Sequence, residues 1–250
     1  MAEFRMKIAG KTAAVTSLFE STPHYFKSYL TEDAPDFSII LRDADLRFQQ
    51  QVLDQEADEE GFRRRVFTDP FLERNAILQA FWERLLDWDT ILLHGSTVVV
   101  DGKAYLFTAR SGTGKSTHTR LWREVFGSRA VMLNDDRAFL RLEEAQVLAF
   151  GSPWSGKHGL DANIAAPLQG ICLLERGEEN CITPAEPGSA LPMLIHQMSL
   201  PRDPAARAKY APLAERIAAQ VPLWQMRCNK SPQAAQIAWE TMAVDKNTAG

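Results

Sequence analysis

Short runs of alternating apolar and polar residues occupy the first part of the chain, in Phe4 to Ile8, Ala13 to Phe19 and Phe37 to Leu41, with polar turns between them. Period-two alternation predicts half-buried strands, so residues 1–68 are expected to form a small, mainly β N-terminal domain around an antiparallel sheet. The acidic, Gln-rich stretch from Gln49 to Glu60 lacks that alternation and reads as a solvated loop or hairpin tip. The period then lengthens. Asp69-Pro70-Phe71 places proline in a first helical turn, and Phe71, Ala76, Ile77, Ala80, Phe81 and Leu85 recur at near-helical spacing, which predicts a connecting helix over 69–89. Its aromatic residues, Phe81, Trp82 and Trp88, are expected to pack rather than to bind a ligand.

From residue 90 onward, apolar strand-like runs alternate with helical stretches, the pattern of an α/β domain over 90–244. Ile91-Leu92-Leu93 ends at His94-Gly95, and Thr97 to Phe107 reads as a hairpin turning at Asp101-Gly102. Ala130 to Leu133, Ala138 to Leu142, Gly170 to Leu174 and Cys181 to Thr183 are further strands. Residues 188–198 and 204–220 have helical composition, Pro222 to Cys228 is strand-like, and Pro232 to Met242 closes the fold as an amphipathic helix. The polar tail over 245–250 is expected to fray.

Three constellations in this second part carry chemistry. Between Tyr105-Leu106-Phe107 and a helix starting near Lys115 stands Ala109-Arg110-Ser111-Gly112-Thr113-Gly114-Lys115-Ser116-Thr117. A turn of small residues before a helix aims backbone N–H groups at phosphate oxygens and adds the helix dipole. Lys115 then reaches the β- and γ-phosphates, and Ser116 can ligate Mg²⁺. The phosphate-loop pattern asks for glycine where Ala109 stands, so the backbone there must suit a Cβ. Strand 130–133 runs into Asn134-Asp135-Asp136, and acids at a strand's carboxyl end face the ligand crevice of an α/β sheet. One of the two can bind metal while the other takes a proton from an attacking hydroxyl. Asp135 is assigned here to the metal and Asp136 to the base, with the reverse left open. His94 ends the strand that precedes the loop and is a candidate partner for the acids.

His-Gly, a hairpin, S-G-x-G-K-S, a helix and then Asp-Asp, in this order over about residues 90–175, resemble the catalytic domain of HPr kinase/phosphorylase and, more distantly, phosphoenolpyruvate carboxykinase. The resemblance implies a carboxykinase/HPr-kinase-like P-loop core beside the N-terminal domain. It implies that ATP or another NTP is held by Ser111, Gly112, Thr113, Gly114, Lys115, Ser116 and Thr117, with Mg²⁺ at Ser116 and Asp135. Asp135 and Asp136 match the family's acidic pair, and His94 its active-site histidine. The chain departs from the family at Ala109 and lacks its later basic loop. Gly151-Ser152-Pro153-Trp154-Ser155-Gly156-Lys157-His158-Gly159 stands there instead and looks like a segment of shorter HPr-kinase-like proteins. A loop so punctuated, carrying Trp154, Lys157 and His158, suits covering phosphates or an acceptor.

Composition narrows the classes. A chain of 250 residues with 45% hydrophobic content can bury one substantial α/β core and an accessory domain. With 28 basic against 32 acidic residues and no basic stripe, a nucleic-acid partner has no electrostatic basis. The sequence shows no leader-like apolar region after Met1 and no membrane-length run, so a cytoplasmic location is expected. Three cysteines, Cys172, Cys181 and Cys228, form neither a disulfide framework nor zinc spacing. The reading is a kinase that transfers the γ-phosphoryl group to a hydroxyl of a peptide, small protein or small molecule; the family resemblance also suggests a homo-oligomer. Its alternatives are a nucleotide-binding regulatory module and a decarboxylating carboxykinase.

Overall fold

The chain divides into two compact units, Met1–Leu85 and Leu86–Gly250. The computed structural model describes residues 1–59, 61–156, 158–199, 201 and 204–244. Lys157 and the tail over 245–250 therefore lie outside the described residues.

In the first unit, β1 (Ala2–Ile8) and β2 (Lys11–Ser17) pair antiparallel across Ala9-Gly10, both residues with positive φ. β3 (Phe37–Ile40) lies parallel to β2, from Ala13↔Phe37 to Thr16↔Ile40. This corrects the expectation of an antiparallel sheet. The chain returns through α1 (Thr22–Tyr25) rather than through a tight turn, and a connection of that length lets the third strand run the same way as the second. A second correction concerns Gln49 to Glu60. Those residues, up to Glu59, belong to helix α2 (Asp43–Glu59), while Glu60 lies outside the described residues. Its polar surface is laced by i,i+4 bonds, Gln50 to Asp54 at 2.9 Å and Gln55 to Glu59 at 3.0 Å. Asp43 and Asp45 favour the positive end of its dipole.

α3 (Asp69–Leu85) belongs to this first unit. It buries Leu72, Ile77, Phe81 and Trp82, with Phe81 edge-on to Phe37 at 5.1 Å. Glu73, fully buried on the same helix, accepts hydrogen bonds from the amides of Leu18 and Phe19 and from the Thr22 hydroxyl. A buried carboxylate is tolerated there because it satisfies the donors of the turn after β2.

The second unit is a mixed α/β structure around a nine-stranded mixed sheet. Its strands are β4 (Thr90–His94), β5 (Ser96–Val100), β6 (Lys103–Thr108), β7 (Ala130–Asn134), β8 (Arg137–Leu142), β9 (Val147–Phe150), β10 (Ala165–Arg176), β11 (Cys181–Pro184) and β12 (Leu223–Cys228). They are ordered β4-β8-β9-β10-β6-β5-β7, with β12 parallel to β10 and β11 antiparallel to β12. The helices are α4 (Lys115–Phe126), α5 (Pro187–His196), α6 (Pro204–Gln220) and α7 (Pro232–Met242). The β5–β6 hairpin turns through Asp101 (φ 51°) and Gly102 (φ 77°), the two left-handed residues that a type I′ turn requires. Val98, Tyr105, Phe107, Trp122, Met132 and Met226 meet in the core under α4 and α7. Each such side chain contributes roughly 1.5–3 kcal/mol by leaving water.

Two pairs of strands run on almost without a turn. β4 passes into β5 through Gly95, and β7 passes into β8 through Asp135-Asp136. The two double-length paths are antiparallel and break at the same level, with His94 opposite Arg137, Thr97 opposite Asn134 and the Gly95 amide donating to the Asp136 carbonyl at 2.8 Å. β5 is antiparallel to both β6 and β7, so β6 and β7 finish at the same edge. β10, parallel to β6, ends there as well.

Candidate functional site

At the shared break, Asn134 sets the local backbone. Its Oδ1 accepts the amides of Asp136 at 2.8 Å and Arg137 at 2.5 Å, while its Nδ2 donates to the Ser152 carbonyl at 2.8 Å. This turn directs the two acids differently. Asp136 lies 3.3 Å from His94 Nε2 and 3.5 Å from Arg137 Nε, with a third of its side chain exposed. Asp135 is 4% exposed; its Oδ1 accepts the Gly156 amide at 2.6 Å, and its buried Oδ2 has no hydrogen-bond partner.

The electrostatics follow the geometry. Burial raises the Asp135 carboxyl above the usual range, helped by the Asp136 charge and opposed by the Gly156 amide and by His158. Burial also acts on Asp136 and is its largest single influence. The His94 hydrogen bond and the positive charges of Arg137, His94 and Lys115 together outweigh it, so Asp136 is held below the usual range. One acid is thus kept ionised beside cations, and its neighbour carries a buried oxygen without a hydrogen-bond partner.

β6 hands the chain to residues 109–114 at the same edge. Thr108 Oγ1 donates to the His94 carbonyl at 2.8 Å, tying the start of this loop to the histidine strand. Gly112 (φ 75°) and Gly114 (φ 125°) hold backbone conformations that side-chain-bearing residues rarely adopt. Ala109 is buried and is not among the positive-φ residues, so the alanine fits its backbone without strain. The ladder of α4 begins with His118 N bonding the Gly114 carbonyl at 2.9 Å, which leaves the amides of Lys115, Ser116 and Thr117 at the open N-terminus of the helix. Lys115, 9% exposed, folds back over the loop and donates to the Ala109 carbonyl at 3.0 Å. Ser111 and Gly112 are exposed at the loop's rim, with Thr113, Gly114, Ser116 and Thr117 partly so.

Residues 151–156 and 158–164 fold back onto the acids. Asp135 N donates to the Leu160 carbonyl at 3.1 Å, and Ala162 N to the Leu133 carbonyl at 3.1 Å. Trp154 is 5% exposed and forms a packed corner of this segment, whereas His158 is exposed. A Cβ on Gly156 would come within 3.3 Å of both Asp135 oxygens, and one on Gly151 within 1.8 Å of the Ala162 carbonyl oxygen.

Several contributors have no local signature in the sequence. Arg176, at the end of β10, donates through Nη2 to the Gly112 carbonyl at 2.5 Å and through Nε to the Thr113 carbonyl at 3.3 Å. That clasp fixes the two loop carbonyls. Asn134, Ser152 and Gly156 lie within segments that the sequence singles out, but their bonds to one another and to Asp135 have no local signature beyond the polar character of Asn134 before the acids.

The unpartnered Asp135 Oδ2 suits a cation. Among the described residues no cluster of three or more His, Cys, Asp or Glu side chains could hold one alone. No family model matches the chain, and no curated protein matches it. Among solved structures it is similar to the Hpr(Ser) kinase/phosphatase from Coxiella burnetii, at 14% identity and a TM-score of 0.35, over 61% of this chain and 93% of that one. A likeness at that level carries no functional argument. Among the described residues no helix is long and apolar enough to cross a membrane.

Proposed function

We propose that this chain is a nucleotide-dependent phosphotransferase that moves the γ-phosphoryl group of ATP, or another nucleoside triphosphate, to a hydroxyl on a peptide, small protein or small molecule. One observation carries the reading: two left-handed glycines and an open helix N-terminus, with Lys115 folded over them, share one sheet edge with an ionised Asp136 paired to His94. The loop amides and Lys115 would bind the β- and γ-phosphates. A bound Mg²⁺ would offset charge on the same phosphate oxygens, held by Asp135 Oδ2 and Ser116. Asp136 takes the proton of the acceptor hydroxyl as its oxygen bonds the γ-phosphorus and the bond to the β-phosphate oxygen breaks. His94 holds that carboxylate in place. Exposed His158 and the backbone around Gly156 form the side from which an acceptor would approach.

The test is calorimetric titration of wild type and Lys115→Met with ATP and Mg²⁺, beside transfer from γ-labelled ATP to Ser- and Thr-containing peptides. A charge-assisted phosphate bond is worth about 1.5–3 kcal/mol, so the variant should bind roughly 10–100-fold more weakly and transfer nothing. Unchanged affinity would remove the loop from the proposal. Binding with neither transfer nor hydrolysis would leave a nucleotide-binding module.

A further inference from the structure

A second surface lies in the first unit, where the chain runs from Phe62 to Thr68 without regular secondary structure. Gln50 of α2 fixes this segment: its Nε2 donates to the Arg65 carbonyl at 2.8 Å, and its Oε1 accepts the Phe67 amide at 3.0 Å. A side-chain amide that bonds the carbonyl of one residue and the amide two residues on does what a parallel strand does opposite the residue between them. That residue is Val66. In a chain held extended in this way, its N–H and C=O point to the opposite edge, where neither has a partner among the described residues. Val66 is 96% exposed.

Arg63, Arg65 and Phe67 line a cavity of about 450 Å³ against Leu53 and Ala57 of α2, and Arg64 pairs with Asp58 of the same helix. Phe62, 62% exposed, closes one end of the cavity. Among the described lining residues Glu56 is the one acid. Among the described residues neither Arg63 nor Arg65 makes an ion pair, so two guanidinium groups stand beside an apolar hollow and an open backbone edge.

We propose that this segment is a docking site for an extended, acidic stretch of a partner polypeptide, which adds as a strand along Val66, places one apolar side chain in the cavity and sets carboxylates against Arg63 and Arg65. Each part of the occupant answers a part of the surface. The open N–H and C=O call for a backbone rather than a compact ligand. The hollow takes an apolar side chain, and the guanidinium groups of Arg63 and Arg65 favour acidic neighbours. The inference is independent of the nucleotide site, since binding is measured without nucleotide.

The probe is a fluorescein-labelled peptide alternating Glu with Leu and Val, compared by anisotropy with a counterpart carrying Lys for Glu. Wild type should bind the acidic peptide, less tightly as salt rises, and bind the basic one at least about tenfold more weakly. Arg63→Gln/Arg65→Gln should lose about tenfold in affinity. Leu53→Trp, which fills the hollow, and Val66→Pro, which removes the N–H, should each weaken binding several-fold while the far-ultraviolet spectrum stays that of wild type. Failure to bind the acidic peptide, equal affinity for both peptides, or wild-type affinity in the double Gln variant would overturn the proposal. Displacement by a uridine oligonucleotide at lower concentration than by unlabelled peptide would overturn it in favour of a nucleic acid.

Discussion

His94 Nε2 and Asp136 Oδ1 stand 3.3 Å apart although they end separate strands, because the β4–β5 and β7–β8 paths break at the same level. The histidine touches the acid that would take the proton and supports it rather than replacing it. Asp136→Asn should therefore cost about 10²–10⁴ in the single-turnover rate of transfer, the usual range for a general base, with nucleotide affinity nearly preserved. His94→Ala should cost less, on the order of tenfold, and shift the acidic limb of the pH–rate profile upward as the carboxylate loses a stabilising partner. Equal losses in both variants would give the histidine the larger role.

The two acids should leave opposite marks on stability. Asp135 has a raised folded-state pKa, so the wild type loses stability as pH climbs from the usual carboxylate pKa through the raised value, and it carries that penalty at neutral pH. Asp135→Asn should be the more stable protein at neutral pH, by a margin that vanishes in acid. Asp136 has a lowered pKa. Its contribution is present above the usual carboxylate pKa and is lost as pH falls through the lowered value, so Asp136→Asn should be the less stable protein at neutral pH. Thermal melts across the acid range would show the two difference curves diverging with pH.

Arg176 offers a prediction about positioning. Without its bonds to the Gly112 and Thr113 carbonyls the loop can turn those groups toward a bound phosphate, so Arg176→Gln should weaken ATP binding by about tenfold, the worth of a bond or two from a charged donor. Arg176→Lys, which reaches one carbonyl, should recover part of it. Isothermal titration beside a melting curve separates this from a folding defect, because an arginine exposed at a strand end should leave the transition unchanged.

Ala109→Gly should not help. The native φ is one an alanine adopts freely, so glycine adds only freedom to the unfolded chain and costs up to about 1 kcal/mol. Urea denaturation and ATP titration of the variant would check both halves. A marked gain in affinity would mean that the alanine strains the loop.

His118, on the buried face of α4, is 2% exposed, with Nε2 accepting the Trp122 indole N–H at 3.1 Å and Nδ1 facing Cys228 Sγ at 3.9 Å. An acceptor nitrogen means a neutral ring, and burial pushes its pKa down to about 4. Between the usual histidine pKa and that value the unfolded chain binds the extra proton. Stability should therefore fall by about 3 kcal/mol as pH drops through that window. His118→Gln keeps an acceptor and should flatten the slope.

Legibility in the sequence followed the range of the interactions. The Asp101-Gly102 turn, the apolar runs of β4, β6, β7 and β8, and the start of α4 near Lys115 are set by neighbours along the chain and are read directly. α2 is missed because its signal is a set of Gln–Asp and Gln–Glu side-chain bonds on an acidic surface rather than an apolar stripe. The direction of β3 depends on how the chain travels between Ser17 and Phe37, which periodicity does not encode. At the candidate site, the glycines, Lys115, the two acids and His94 are legible as residue types. The sequence also offers His94 as a partner for the acids, and folding selects Asp136 for it; the Gly156 amide on Asp135 and the Arg176 clasp join positions far apart in sequence, and folding alone brings them together.

The segment over the acids leaves β9 at Phe150 and re-enters β10 at Ala165, and those two residues face each other across the sheet. A stretch whose ends are already neighbours can change in length or composition without moving the strands that anchor it. It hangs over the two acids from neighbouring ends, like an exchangeable cassette. In the proposed phosphotransferase, variation between the packed ends of that cassette would alter which acceptors reach the acids, while leaving the glycine loop and Lys115 to be inherited intact.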